Sequence, residues 1–412
     1  MTPARRPARI VILNDSSVAR GGATGLALLS ARMLAARGHR VTFVCGDSGD
    51  DGSLAAAGIE LVPMGGQLLL DAGRMTAMRN GIYNRSVRDR MADLLDRIDG
   101  PDTVYHLHGW SRILSPAVFD ALRPVARRSF VHAHDYFLAC PNGVYFDYVS
   151  AAPCERTPLS TGCLATNCDR RAYSHKLWRA ARQRALKRAF AGGDWAGVLM
   201  LTPEMAPGLV RGGVPGDRLT ALRNPAVAWC ATRLKAEAGD RLAYVGRSES
   251  GKGLATLCAA AKIAGIPLRV IGDTSDRPAL ARLHPEVEFT GWVDQNEIGR
   301  HMRDVRALVV PSRYPEPFGL VAAEASRSGL PVLLSDRMTL SAEAEAKGLG
   351  HVVDSRSPEA LAEGLIRFRA RPDDAVREIS ERGFEALDTI SLTPAAWVDR
   401  LESYYAGALA RA

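Results

Sequence analysis

The sequence predicts an α/β protein built on parallel sheets. Short apolar runs that end in glycine or polar residues recur along the chain, and helical spacing follows most of them. This alternation starts near the N-terminus and restarts after about residue 230. A chain of 412 residues, of which 47% are hydrophobic, is long enough to bury two cores. We therefore expect two domains, each with its own parallel sheet.

The first domain is expected to span residues 1–230, with a cysteine-containing insertion at about 140–170. A glycine-rich segment, GGATG (21–25), follows its first strand. The next segment, LALLSARMLAARG (26–38), is predicted to be a helix because its apolar residues recur at helical spacing. The predicted strands are buried apolar runs, namely RIVILN (9–14), HRVTFVCG (39–46), TVYHLHG (103–109), RSFVHAHD (128–135) and GVLMLT (197–202).

The second domain is expected to span residues 231–390. Its predicted strands are RLAYVGR (241–247), PLRVIGD (267–273), VEFTGW (287–292), ALVVPS (307–312) and LPVLLSD (330–336). The last segment carries Trp397, Leu401 and Tyr404 at helical spacing. We expect a C-terminal helix within 391–412 that packs back toward the first domain.

Two glutamates stand eight positions apart in YPEPFGLVAAEA (314–325). Glu316 lies in a loop, since two prolines forbid regular pairing there, and Glu324 lies about one turn into a predicted helix. The start of that helix offers free N–H groups that attract anions. A carboxylate repels phosphate, so Glu324 is better suited to the two hydroxyls of a ribose, and Glu316 to hydroxyls of a second sugar. The alternative is a plain connection with a capping glutamate.

Two cations follow the first strand of the second domain. In YVGRSESGKGL (244–254), Arg247 and Lys252 stand five residues apart on a glycine-rich turn. Cations above the carboxyl end of a strand can clamp a diphosphate. Exposed loop cations are common, so this pair alone is weak evidence for a diphosphate site. The pair indicates such a site only in combination with the two glutamates.

These two motifs resemble those of the retaining nucleotide-sugar glycosyltransferases of family 4, and the resemblance covers nearly the whole chain. It implies the GT-B fold, in which two Rossmann-like domains face a central cleft. It also implies sugar transfer from a nucleotide-diphosphate sugar to an acceptor held by the first domain. The expected acceptor is a glycan or a polyprenyl-diphosphate-linked glycan of a bacterial surface polymer.

The resemblance also assigns roles to individual residues. Arg247 and Lys252 match the pair that binds the donor diphosphate. Glu316 matches the glutamate that contacts the donor sugar, and Glu324 matches the one that contacts the ribose. His134, in VHAHDYF, matches a histidine near the reacting centre and joins Arg247, Lys252 and Glu316 as a candidate catalytic residue. The remaining candidate donor-binding residues are Gly21, Gly22, Asn224, Trp292, Phe318, Gly319 and Leu320.

Several of these assignments have structural alternatives. Gly21 and Gly22 would also suit close packing of a helix. His134 would also suit a strand end bonded to backbone, and Asn224 a turn before Pro225. His106 and His108 are interpreted as lining of the cleft.

The formal net charge of +8 favours anionic partners but does not choose among them. A nucleotide-sugar 2-epimerase of the same fold is one alternative function. A basic, cysteine-cluster nucleic-acid-binding protein is another, although nothing in the second half requires nucleic acid and none is expected as a partner. A dinucleotide oxidoreductase would need G-x-G-x-x-G after the first strand, and GGATG lacks it. No Asp-x-Asp triplet is present, so no cofactor is expected to be required for catalysis.

Four cysteines fall within the insertion. Cys140, Cys154, Cys163 and Cys168 suit either a structural Zn²⁺ site or buried free thiols, because their spacing lacks tight C-x2-C pairs. The N-terminal stretch MTPARRPARI does not resemble an export signal, so a cytoplasmic location is expected.

A basic segment follows the insertion. Residues 168–190 carry eight Lys or Arg and one Asp, with Trp178, Ala181, Leu186 and Phe190 sharing part of a helical face. Such a helix suits the anionic inner membrane as a peripheral contact, or an ordinary solvated surface.

Overall fold

The structure is a computed structural model that describes residues 6–19, 21–49, 52–69, 71–273, 278–385 and 390–412. The first residues of the basic N-terminal stretch lie outside these ranges. The chain divides into two compact units. The first comprises the residues up to Val149, Cys154–Leu222 and Ala395–Ala412, and the second comprises Ser150–Pro153 and Arg223–Pro394. The main division falls at Leu222, where the last strand of the first sheet has just ended.

The first unit contains a seven-stranded sheet in which all neighbouring strands are parallel. Its spatial order is β3-β2-β1-β4-β5-β8-β9. The central strands are continuously buried, which explains why they are unbroken apolar runs. The strands, with the two short ones between β5 and β8, are β1 (Arg9–Asn14), β2 (Val41–Cys45), β3 (Glu60–Pro63), β4 (Thr103–Leu107), β5 (Ser129–Ala133), β6 (Phe146–Asp147), β7 (Ala152–Pro153), β8 (Gly197–Met200) and β9 (Leu219–Ala221).

The helices up to residue 222 connect these strands. They are α1 (Gly22–Ala36), α2 (Ser53–Ala56), α3 (Arg74–Ile82), α4 (Arg85–Ile98), α5 (Ala117–Leu122), α6 (Thr161–Ala165), α7 (Tyr173–Ala191) and α8 (Ala206–Arg211). The first of them starts at Gly22, earlier than predicted. Most of the glycine-rich segment is therefore the first turn of α1, with Gly21 at its N-cap.

The second unit contains a six-stranded parallel sheet in the order β12-β11-β10-β13-β14-β15. Its strands are β10 (Arg241–Val245), β11 (Leu268–Ile271), β12 (Glu288–Gly291), β13 (Val305–Val310), β14 (Val332–Ser335) and β15 (Gly350–Val353). Its helices are α9 (Leu254–Ala264), α10 (Pro278–Leu283), α11 (Leu320–Arg327), α12 (Ser341–Ala346), α13 (Pro358–Arg369) and α14 (Asp373–Glu385). The prediction of an α/β protein with two parallel sheets is confirmed.

The final helix is α15 (Pro394–Arg411), and its residues from Ala395 onward belong to the first unit. Trp397, Leu401 and Tyr405 are fully buried along one face at a spacing of four residues. Tyr405, rather than the predicted Tyr404, completes this face. Elsewhere on α15, the Glu402 carboxylate forms salt bridges with Arg37 and with His39, each at 2.6 Å.

Among the helices in the described ranges, none has the length and the apolar composition needed to cross a membrane.

Candidate functional site

The candidate site of the second unit lies where two neighbouring strands end. β10 pairs with β13 on one side and with β11 on the other, so the order of the strands reverses at this point. In open parallel sheets, such switch points leave a crevice at the carboxyl ends of the strands, where ligands bind. The loop after β10 carries Arg247 and Lys252, and the loop after β13 carries Glu316.

The two loops are in backbone contact. Arg313 N–H donates to the Gly251 carbonyl at 2.9 Å. Gly253 has a φ of 75°, and a Cβ at this position would lie 2.0 Å from the Pro311 carbonyl oxygen. Only glycine fits this approach. The glycine-rich turn therefore fixes the separation of the two loops and the position of Lys252.

Lys252 and Glu316 form an ion pair across the two loops. The Lys252 Nζ lies 2.5 Å from Glu316 Oε1, and both side chains are largely buried. The Ser312 hydroxyl donates to the other carboxylate oxygen of Glu316. Lys252 also lies 5.5 Å from the centre of the Tyr314 ring. The cation of one motif and the carboxylate of the other therefore form a single charged cluster.

Arg247 occupies a more open position in the same loop. Its side chain is 60% exposed and contacts Glu249 at 2.8 Å. The Tyr244 hydroxyl donates to the Arg247 carbonyl at 2.8 Å, which anchors the backbone beneath this exposed side chain. Arg247 is thus available to an anion but less preorganised than Lys252.

The segment between the two glutamates places backbone rather than side chains at the surface of the site. Phe318 is 2% exposed, so its ring belongs to the core. Gly319 caps α11 with a φ of 77°, and Leu320 begins the helix. The first N–H groups of a helix have no partner within it and favour an anion. Phe318, Gly319 and Leu320 can therefore contribute through their amides. Thr339 supports the loop, since its N–H donates to the Glu316 carbonyl and its hydroxyl donates to the Pro317 carbonyl.

Glu324 lies in α11 and is held by two side chains that the sequence did not single out. Trp229 Nε1 donates to one carboxylate oxygen at 3.3 Å, and Gln295 Nε2 donates to the other at 3.2 Å. Burial raises the pKa of Glu324 to about 7, against the lowering effect of the Trp229 bond. A carboxylate in such a position is suited to two donated hydroxyl hydrogens.

Trp292 and Asn224 occupy contrasting positions. Trp292 follows β12 and is 71% exposed, so its ring is open to a stacking partner. Asn224 is 2% exposed, and its Oδ1 is buried without a hydrogen-bond partner among the described residues. Its carbonyl accepts from Leu392 N–H at 3.1 Å. Asn224 therefore links the first residues of the second unit to its last residues. Its side-chain oxygen remains available as a hydrogen-bond acceptor.

We expect Glu324→Gln to weaken donor binding by about 1–3 kcal/mol, because a carboxamide replaces a carboxylate acceptor of two hydroxyls. Donor affinity of the wild type should also fall as pH drops from 8 to 6, since Glu324 becomes protonated around pH 7. That pH dependence should be absent from the variant. Calorimetry with the folded variant checks this, and unchanged affinity would remove Glu324 from the site.

The glycine segment of the first unit lies at the end of β1. Gly21 is exposed, and a Cβ at this position would meet no atom within 4 Å. Close packing of the helix therefore does not explain Gly21. Gly22 is also exposed, as the first residue of α1. The role of both glycines toward a ligand remains a prediction.

His134 belongs to a cluster of four histidines at the ends of β4 and β5. His134 Nε2 lies 3.0 Å from His108 Nδ1, and His106 Nε2 lies 3.2 Å from His132 Nδ1. The Tyr405 hydroxyl bonds to His106 Nδ1 at 2.7 Å. Burial lowers the pKa of His134 to about 3, so its ring is neutral. The interpretation of His106 and His108 as cleft lining is wrong, because they are 0% and 3% exposed beneath α15.

The first unit contains two sets of residues that were or could be considered as metal ligands, three histidines and the four cysteines. His106, His108 and His132 have ring nitrogens within 4.8 Å of one another. No three of the cysteine sulfurs reach this proximity within the described part of the chain. The Lys176 ammonium instead contacts Cys168 Sγ at 3.0 Å and Cys163 Sγ at 3.3 Å. A zinc ion at the cysteines would require this lysine to move.

Two family models match the chain and together account for most of it. The model "Glycosyl transferase 4-like domain" matches residues 21–225, and the model "Glycosyl transferases group 1" matches residues 231–385. The division between the two matches falls close to the division between the two units.

Individual relatives are more distant. An uncharacterised 41.2 kDa protein of the cps region of Klebsiella pneumoniae is 31% identical over 36% of this chain and 43% of its own length. A glycogen synthase of Mycobacterium tuberculosis is 28% identical over 51% of the chain and 52% of its own length. The matched region thus spans about half of these relatives. The crystal structure of Anabaena Alr3699/HepE in complex with UDP has a TM-score of 0.64 at 15% identity and covers 97% of this chain and 100% of its own.

Proposed function

The chain belongs to the glycosyltransferase family that these two models describe, and on that premise we propose that it transfers a sugar, with retention of configuration, from a nucleotide-diphosphate sugar. The observation that carries the proposal is the cluster of Lys252, Glu316 and Ser312 beside the N-terminus of α11. It combines a cation for a phosphate with a carboxylate for sugar hydroxyls. A solved relative of the same fold binds UDP, which supports a nucleotide donor.

The chemistry follows from the charges that develop during transfer. Cleavage of the anomeric C–O bond leaves positive charge on the sugar and negative charge on the departing diphosphate. Lys252, Arg247 and the first amides of α11 would stabilise that leaving group through fixed dipoles and charges. Glu316 would orient the sugar hydroxyls, and Glu324 the ribose. His134 is proposed to act at the reacting centre on the strength of the family resemblance.

A panel of nucleotide sugars tests the proposal. A donor should raise the melting temperature of the protein, and the same donor should be consumed when an acceptor extract from a bacterial envelope is supplied. Transfer of labelled sugar to that acceptor supports the proposal. Interconversion of the donor without transfer would instead identify an epimerase, and stabilisation by no donor in the panel would argue against a nucleotide-sugar site.

We expect transfer to survive EDTA, because protein cations rather than a metal ion neutralise the diphosphate. The measurement is the initial rate before and after chelation and desalting. A rate that is lost and then restored by Mg²⁺ or Mn²⁺ would contradict this. Slow loss without such rescue would point to a structural zinc at the four cysteines, which metal analysis of the purified protein detects.

The expected membrane-binding face of the basic helix must be reassigned. Leu186 and Phe190 of α7 are buried within the first unit. Trp178 is bonded to α3 through the Met78 carbonyl at 2.9 Å. The predicted apolar face of α7 therefore packs against the rest of the first unit. A membrane would have to contact a different face.

The exposed face of α7 suits an anionic membrane. Tyr173, Leu177, Arg184 and Arg188 are all exposed and recur at the spacing of one helical face. Met75 and Met78, on the adjoining α3, are 81% and 52% exposed. Apolar side chains beside arginines are the composition of surfaces that lie on anionic lipid. We therefore propose peripheral membrane binding through this face and a lipid-linked acceptor.

Sedimentation with vesicles tests that face. Replacing Arg184 and Arg188 by Glu should lower the affinity for phosphatidylglycerol vesicles at least tenfold, since each basic residue contributes about 1 kcal/mol. Arg367→Glu, on an exposed surface of the second unit, is the matched control and should bind normally. Equal binding of all variants, or equal binding to neutral vesicles, would exclude this face as an anionic-lipid surface.

A further inference from the structure

The most unusual polar group outside the candidate donor site is Lys176 in α7. Its side chain is 1% exposed, although an ammonium group is almost never buried without a charged partner. No carboxylate of the described residues lies within salt-bridge distance of its Nζ. The acceptors it does contact are two sulfurs, Cys168 Sγ at 3.0 Å and Cys163 Sγ at 3.3 Å.

The sulfur of Cys168 is the more strongly held of the two. It accepts from Asn142 Nδ2 at 3.1 Å as well as from Lys176. A neutral thiol is a weak acceptor, whereas a thiolate that receives two donors is stabilised. Loss of one proton from the pair leaves an ammonium beside a thiolate or an amine beside a thiol, and the two forms interconvert by proton transfer across the 3.0 Å contact. The amine–thiol form holds a nucleophilic nitrogen and an oxidisable sulfur in contact, shielded from bulk water.

We propose that Lys176 and Cys168 form a redox-reversible covalent link in which one oxygen atom bridges Nζ and Sγ. The oxidant is dioxygen, a small apolar molecule that can reach a buried site. One N–H and one S–H bond break, and one N–O and one O–S bond form. The second oxygen atom leaves as water with the two hydrogens, so that amine, thiol and O₂ give the bridge and H₂O. Thiol reductants restore the amine and the thiol by supplying four electrons and four protons, and the bridging oxygen then leaves as water.

The link would join α7 to the end of the cysteine-containing insertion. Residues 168 and 176 flank the start of the helix, so the bridge fastens that start to the preceding loop. Cys163 is close enough to Lys176 to compete but lacks the Asn142 contact. The cluster is thereby assigned a modification chemistry in place of a metal site.

Mass spectrometry of the intact, unreduced protein tests the link. Protein purified under reductant and then exposed to air should gain about 14 Da, the mass of one oxygen less two hydrogens, and lose it again with reductant. Trypsin should no longer cleave after Lys176, so that peptide 157–170 appears joined to peptide 172–179. This map uses the wild-type protein and decides the matter even where a buried substitution prevents folding.

Single variants show which nitrogen and which sulfur form the link. Lys176→Arg keeps a cation and should abolish the gain of mass, as should Cys168→Ser. Cys163→Ser is the matched control and should still form the link. An unchanged mass after air and peroxide would overturn the proposal. So would a loss of about 2 Da, which marks a disulfide, or stoichiometric zinc on the cysteines.

Discussion

Lys252→Ala should lower kcat by about a hundredfold or more, the largest catalytic effect expected of any single change in the second unit. Removing one preorganised charge from a leaving-group site costs on the order of 3 kcal/mol. The structure adds a second loss, because Glu316 loses its partner at 2.5 Å and keeps only the Ser312 hydroxyl. Leaving a largely buried carboxylate without its cation is unfavourable.

Arg247→Ala should have a smaller effect than Lys252→Ala. The Arg247 side chain is 60% exposed and already contacts Glu249, so it must be ordered by the ligand and its removal strands no buried charge. Both variants should lower kcat more than they raise the donor KM, since the diphosphate gains charge only as the bond breaks. The double variant should be less than additive, because both cations are proposed to bind the same diphosphate.

Steady-state kinetics of the three variants, with Lys252→Arg as a fourth, measures these effects. Lys252→Arg keeps the charge and the pairing with Glu316, so it should recover part of the lost rate. Circular dichroism verifies that each variant is folded. If Lys252→Ala and Arg247→Ala both transfer sugar at near-normal rates, the diphosphate binds elsewhere and the assignment of this loop is wrong.

The sequence predicted the buried strands well, for a physical reason. The central parallel strands, such as β1, β4 and β13, are covered on both faces and must be continuously apolar. The strands it missed include β3, β9 and β15, which lie at the edges of the sheets. They are short and largely half-exposed, so their sequences lack the apolar run that identifies a central strand.

Candidate site residues could be named from the sequence only where a local motif existed. Arg247, Lys252, Glu316 and Glu324 stand in recognisable spacings along the chain. The pairing of Lys252 with Glu316 was not predicted, because it depends on which strand lies beside β10. Trp229 and Gln295 contact Glu324 from 95 and 29 residues away in sequence and carry no motif of their own. Such contacts are set by the order of strands, which single-residue spacing does not encode.

The surroundings of the histidine cluster were also beyond what sequence spacing can predict. The sequence places His106 and His108 on one strand and His132 and His134 on the next, with alternation that suggests one inward face for each pair. All four rings nevertheless lie together, and Tyr405, about 300 residues later, bonds to one of them. Only the return of α15 to the first unit creates that environment.

Acidification should destabilise the first unit before ordinary carboxylates titrate. Burial lowers the pKa of His106 and His134 to about 3, and it lowers the pKa of His108 and His132 well below the usual value. The unfolded chain binds protons on histidine near pH 6.5. The neutral cluster therefore contributes full stability above about pH 6.5, and this stability is lost as the pH falls toward about 3.

The size of this loss of stability follows from the difference between the pKa of a histidine in the folded protein and its pKa in the unfolded chain. At pH 5, each buried histidine costs about 2 kcal/mol relative to pH 7.5, since one pKa unit corresponds to about 1.4 kcal/mol. Asp135 opposes this effect, because burial raises its pKa to about 6 and the folded state then takes up its proton earlier. Burial also raises the pKa of Asp15, with the same sign. Four histidines outweigh two carboxyls, so the first unit should lose stability between pH 7.5 and pH 5.

Urea unfolding of the wild type at pH 7.5, 6 and 5 measures this loss. His132→Gln removes one titrating ring, and its unfolding free energy should depend less on pH than that of the wild type, by up to one proton in the slope. His301→Gln, in the second unit, is the matched control and should keep the full pH dependence. If the wild type is as stable at pH 5 as at pH 7.5, the four rings are solvated or already share a proton in the folded state, and the cluster is not the dry, neutral core that its burial implies.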